Sequence, residues 1–216
     1  MPNWCFTQII FHGNKTEIED FHKKVTEWTS ESLAKSDFGN IWLGNILVGA
    51  GLGDRIDSGP TMLRCRGTLS YIDEIEDDGE DNAIFRVDTE TAWAPMTLMW
   101  KAVIDKLEYK TIGFSYMAEE PGCEVYEIYD PYGDYDEHYY VDVFIDGEDC
   151  ENESLQRLDN SRYFASDETL VYALQKLLNT EETNIATLIK QAESYPFKNE
   201  DSYISVHKYD IVDELY

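Results

Sequence analysis

The sequence predicts an α+β fold built on an antiparallel sheet, and three observations carry that expectation. Apolar residues recur at helical spacing in two stretches, residues 17–29 and 96–107. Strand-like runs lie before, between and after them. An acidic, tyrosine-rich segment and a leucine-rich tail then follow.

Residues 4–11 form the first strand, apolar on both faces and therefore central. Gly13-Asn14 ends it, and Thr16 with Glu19 reads as a capping box. Ile18, Phe21, Val25 and Trp28 then mark the first helix. Residues 31–60 read as an insertion: Ile46-Leu47-Val48 suggests a short strand or turn, and Gly49, Gly51, Gly53, Gly59 and Pro60 a loop. Residues 62–72 and 83–89 are two strands about an acidic turn. Pro95 opens the second helix, on which Met96, Met99, Val103 and Leu107 share a face. Residues 111–117 are the next strand.

The order strand, helix, strand, strand, helix, strand is that of a ferredoxin-like βαββαβ core, both helices on one face of an antiparallel sheet. Phe6, Ile10, Phe21, Val25, Trp28, Val103 and Leu107 are its expected interior. Strands at 124–129 and 139–145 extend the sheet as an acidic hairpin within 119–150. Ser166 caps a helix bearing Leu170, Leu174 and Leu177; a second carries Ile185, Leu188 and Ala192; residues 203–206 suit a last short strand. The expected organisation is one ferredoxin-like domain over residues 1–150 and a helical subdomain, 151–216, packed on it.

Lys and Arg number 17 against 44 Asp and Glu, a net charge of −27. That charge opposes attraction to phosphates and to anionic membranes and favours basic partners. No segment resembles a signal peptide, and the longest apolar runs are too short to span a bilayer. A cytoplasmic location with reduced thiols is expected.

Chemical motifs are sparse. Gly49-x-Gly51-x-Gly53 has the wrong spacing for a dinucleotide loop, because Asp54 stands where the last glycine belongs. His12, His22, His138 and His207 never approach metal-ligand spacing, nor do Cys5, Cys65, Cys123 and Cys150. Cys5, in mid-strand, is expected to be an inert buried thiol. No catalytic residue, metal or cofactor is assigned.

The informative stretch is 111–156, with no Lys or Arg, fourteen carboxylates and seven tyrosines. Three readings compete: a solvated hairpin, a divalent-cation site formed by Asp130, Asp134, Asp136 and Glu137, and a docking surface for a basic protein. The docking surface would use Glu124, Tyr126, Tyr132, Asp134, Tyr135, Asp136 and Glu137. In its extreme form it mimics the charge of a nucleic acid.

Four stretches carry a family resemblance: Met1-Pro2-Asn3-Trp4-Cys5, Arg66-Gly67-Thr68, Thr91-Ala92-Trp93-Ala94-Pro95 and 116–122, Tyr-Met-Ala-Glu-Glu-Pro-Gly. Over about the first 130 residues the chain resembles the YubB-like ferredoxin-like domain family of phage and plasmid proteins. Thr7 and Leu69 depart from that family's Asn and Lys. The resemblance implies the same fold and brings no catalytic residues. Trp93 and Pro95 are expected to fix the entry of the second helix, with Trp4 packed nearby. The alternative is that Asn3, Trp4 and Trp93 line a small pocket.

The leading expectation is a non-catalytic accessory protein of a mobile element that binds a basic protein partner. Its rivals are single-stranded nucleic-acid binding on the open sheet face and an enzyme without a recognisable motif.

Overall fold

The structure, a computed structural model, describes residues 3–30 and 39–215. Met1 and Pro2 of the opening motif, residues 31–38 of the expected insertion and Tyr216 lie outside the described residues. The fold is α+β with mostly antiparallel sheets. It forms two compact units, Met1–Asp134 with Ile211–Tyr216, and Tyr135–Asp210.

The first unit runs β1 (Trp4–Asn14), α1 (Lys15–Trp28), α2 (Leu43–Gly49), β2 (Gly67–Ile72), β3 (Glu76–Asp77), β4 (Asn82–Ala92), α3 (Thr97–Lys106), β5 (Gly113–Glu120) and β6 (Val125–Tyr129). Its strands lie in the order β6-β5-β1-β4-β2, each antiparallel to its neighbours, and β3 pairs with β4. Near the C-terminus a short β10 (Asp210–Ile211) lies beside β6, and the Val212 amide donates to the Ile128 carbonyl.

Alternation along β1 divides its side chains between two faces. Cys5, Ile9 and Phe11 enter the core with Phe85, Val87, Phe114 and Tyr116. Ile18, Phe21 and Val25 from α1 and Met99, Trp100 and Val103 from α3 cover them. Phe11 lies 5.1 Å from Phe21, 5.0 Å from Phe85 and 5.2 Å from Trp100, centroid to centroid. Each such pair adds about 0.5–1.5 kcal/mol beyond the area it buries.

Three expectations need correction here. Phe6 and Ile10, expected in the interior, lie on the opposite face, and Phe6 is 56% exposed. A one-residue change of face moves every side chain of a strand, and β1 is apolar on both alternations. Residues 43–49 form a helix rather than a strand or turn, because Leu43, Ile46 and Leu47 fall on one buried face. Gly49 lets this helix approach Trp28, whose ring would stand 2.4 Å from an added Cβ. Finally, Asn14 rather than Thr16 caps α1, its side chain accepting from the Thr16 amide at 2.9 Å.

The second unit contains β7 (Tyr139–Phe144), α4 (Glu153–Asn160), β8 (Tyr163–Phe164), α5 (Asp167–Leu178), α6 (Ile185–Glu193) and β9 (Tyr203–Lys208). Its sheet has the order β8-β7-β9. The acidic hairpin over 119–150 is therefore not formed: β6 pairs with β5, while β7 pairs with β8 and β9. The division falls after Asp134 rather than at 150, and the C-terminal part is not purely helical. The reason is β7's own apolar face. Tyr139, Val141 and Val143 are buried against Leu155, Leu158, Leu170, Leu174, Leu188 and Ile204. Ser166 caps α5 as expected, in a reciprocal capping box with Thr169.

Candidate functional site

The face of the first sheet away from α1 and α3 is read in rows from the strand pairing. Across one row stand Thr68, Glu90, Phe6, Glu119 and Tyr126; across the next, Asp88, Gln8, Met117 and Ile128. Beyond these come Arg86, Ile10 and Ser115, then Ile84, His12 and Gly113.

The His12 end of this face is closed by the loop after β6. Asp130 Oδ1 accepts from Ser115 Oγ at 2.9 Å and from the amides of Gly133 and Asp134 at 2.8 and 2.9 Å. The Tyr132 ring lies flat on His12, 4.2 Å between centroids and 6° between planes. Asp134 Oδ2 sits 2.8 Å from His12 Nε2. Gly113 permits this, since an added Cβ would lie 2.0 Å from the Tyr132 hydroxyl oxygen.

The other end stays open, and there the motif-bearing stretches meet. The Trp93 amide donates to the Asn3 carbonyl at 3.0 Å, and the Ala92 amide to the Arg66 carbonyl at 2.9 Å. Gly67 runs so close to β4 that a Cβ would stand 2.3 Å from the Glu90 carbonyl oxygen, and one on Gly122 would stand 2.2 Å from Asn3 Nδ2. Trp93 itself has φ +69°, a left-handed conformation that bulky residues avoid. Such a conformation costs on the order of 1–3 kcal/mol and persists only where neighbouring contacts impose it. Here it turns the indole outward, 48% exposed, with the Arg66 guanidinium 4.7 Å from its ring centroid. Trp4 is 43% exposed. It lines a cavity of about 450 Å³ with Trp42, Asp57, Cys65, Arg66 and Thr68.

No family model, curated protein or solved structure matches this chain. Carboxylates dominate the open end: Phe6 has Glu90 directly opposite on one side and Glu119 on the other. Beneath, on the helix-facing side, Glu120 and Glu127 are both buried. Tyr116 donates to Glu127 Oε1 at 2.9 Å, and the Gly122 amide to Glu120 Oε1 at 3.0 Å. Burial, reinforced by those two carboxylates, pushes the Cys5 thiol up to about 11 against the opposing pull of Thr7 and Thr91. Burial beside Asp57 likewise holds Cys65 at about 11. Both remain neutral thiols at physiological pH, the wrong state for a nucleophile. Among the described residues, no group of three or more His, Cys, Asp or Glu converges as a metal site.

The residues singled out in the sequence fare unequally. Asn3, Trp4 and Trp93 do gather at one end of the sheet, but the two indoles are half exposed rather than packed away. Tyr126 is buried, 4% exposed. Tyr132 and Asp134 are engaged with His12. Glu124 is exposed in a left-handed turn before β6, with φ +55°. Tyr135, Asp136 and Glu137 belong to the second unit, so the acidic stretch is not one surface of one unit. Sequence reasoning missed Phe6, Trp42, Arg66, Glu90 and Glu119 as members of the site. Only the pairing register brings the two glutamates to Phe6; in the sequence they stand 84 and 113 positions away from it.

Proposed function

We propose that this protein is a non-catalytic binding protein whose first unit docks a basic segment of a protein partner on the open end of its sheet. The observation that carries this reading is Phe6, 56% exposed between Glu90 and Glu119, with Trp4 beside it on the same strand. An exposed ring flanked by carboxylates attracts an Arg or Lys side chain twice over, through the ring's negative face and by charge. The net charge of −27 adds long-range steering toward a basic partner. The strand order β5-β1-β4-β2, with α1 and α3 on one face, supports the finer reading of the fold as a ferredoxin-like core. The resemblance to the YubB-like family goes with it, and with it a cytoplasmic accessory role in a phage or plasmid. Single-stranded nucleic acid would also stack on such rings, but Glu90 and Glu119 oppose phosphates at that place.

The test is binding of a nona-arginine peptide, followed by intrinsic tryptophan fluorescence across a salt series. A chain of this charge attracts any polycation, so the aromatic variants decide. Phe6→Ala and Trp4→Ala leave the charge unchanged, and each is expected to speed dissociation about tenfold or more. Glu90→Gln with Glu119→Gln is expected to slow association and flatten the salt dependence. Peptide binding indifferent to Phe6→Ala and Trp4→Ala would reduce the acidity to bulk charge. Tighter binding of an oligonucleotide than of the peptide would instead favour the nucleic-acid reading.

A further inference from the structure

The second unit is acidic throughout, yet one of its cavities is lined by cations and no carboxylate. This cleft lies between α4 and α5 and encloses about 310 Å³. Its apolar lining includes Leu158, Phe164, Ala173 and Leu177, of which Leu158, Phe164 and Leu177 are buried. Three small residues, Ser154 and Ala173 from the two helices and Ser161 at the end of α4, are among those that line it. The rim carries Arg157 and Lys176, two of the six Lys and Arg residues between positions 135 and 210. Neither is strongly committed elsewhere. Arg157 approaches Glu153 at 3.4 Å with both side chains mostly exposed, a pairing worth little in water. Lys176 lies 5.2 Å from the centroid of the exposed Tyr172 ring.

We propose that this cleft is a binding site for a small amphipathic carboxylate, its apolar tail on Leu158, Phe164 and Leu177 and its head group between Arg157 and Lys176. Charge complementarity selects the occupant. In so acidic a chain a cationic or acid-free apolar ligand would need no paired cations at the mouth. The enclosed volume lies at the lower end of the range for small-ligand sites, which suits a chain of roughly eight to ten carbons. Ser154, Ser161 and Tyr172 also line the cleft, and their hydroxyls are of the kind that can donate to a carboxylate.

The experiment is calorimetric titration of the full chain with octanoate, octanol and octyltrimethylammonium. Saturable binding of octanoate is expected, with octanol about tenfold weaker because it lacks the charge-assisted hydrogen bonds. The cationic amphiphile is expected not to compete. Arg157→Gln and Lys176→Gln, both at exposed positions, should each weaken octanoate severalfold while leaving circular dichroism unchanged. Ala173→Trp, which fills the cleft, should abolish binding. Equal affinities for octanoate and octanol, or octanoate binding that survives Ala173→Trp and both charge variants, would overturn the assignment. So would the absence of saturable octanoate binding.

Discussion

The first unit surrounds Phe11 with the rings of Phe21, Phe85, Trp100 and Phe114, whereas the second unit buries Leu155, Leu158, Leu170, Leu174, Leu177 and Leu188. The first rests on two strands of eleven residues each, the second on six-residue strands beneath amphipathic helices. Rings that meet edge-to-face require a fixed register, because a slip of one residue turns them out of the core. Leucines on helices meet looser demands, and a cleft remains between α4 and α5. The sheet of the first unit also keeps one end of its second face open, where Phe6 and Trp4 are exposed. A ring-rich core and an exposed aromatic site thus come from the two alternations of one strand.

Core truncation is the strongest way to break this comparison. Phe11→Ala is expected to destabilise the first unit by about 3–5 kcal/mol, and Leu174→Ala the second by about 2–5 kcal/mol. All five tryptophans lie in the first unit, so their fluorescence reports Phe11→Ala directly. Amide exchange in α5 should report Leu174→Ala. If Leu174→Ala moved the fluorescence transition as far as Phe11→Ala does, the two cores would behave as one cooperative body.

An acid titration sharpens the comparison further. The amides of Lys198 and Asn199 donate to the two Asp149 oxygens at 3.0 and 2.9 Å, holding its pKa below the usual carboxylate value. A depressed native pKa stabilises the fold fully above the unfolded value, about 3.9 for Asp, and that contribution fades as pH falls through the native value. Asp149→Ala should therefore flatten the acid limb of stability in the second unit, measured by amide exchange from pH 6 downward. An unchanged acid limb would show that other carboxylates govern it.

The smallest expected effect is at the start of α5. Ser166→Ala removes the acceptor for the Thr169 amide and should cost about 1 kcal/mol. Chemical denaturation followed by amide exchange in the second unit measures it, with tryptophan fluorescence expected to stay unchanged. A shift in the fluorescence midpoint would again argue against separate cores.

Much of this was legible from local pattern. The periodicity of Ile18, Phe21 and Val25 and of Leu170, Leu174 and Leu177 marks buried helix faces, because a helix must present one stripe to a core. Ser166 before an apolar run announces a cap for the same local reason. Asn3, Trp4 and Trp93 stand out only through the motifs that carry the family resemblance, because the pairing that joins residue 93 to residue 3 is remote in the sequence. Local pattern thus marks the long helices and strands. It misses the helix at 43–49, α4 and the short strands β3 and β8, and β1, β4 and β5 run on past their expected ends. Tertiary structure alone decided which alternation of β1 faces inward, since Trp4, Phe6 and Ile10 are as apolar as Cys5, Ile9 and Phe11. It also decided that β7 pairs with β9 rather than β6, and that Glu90 and Glu119 flank Phe6. Strand pattern specifies an alternation but never a neighbour. The neighbour follows from which apolar faces can be buried together, a property of the whole chain.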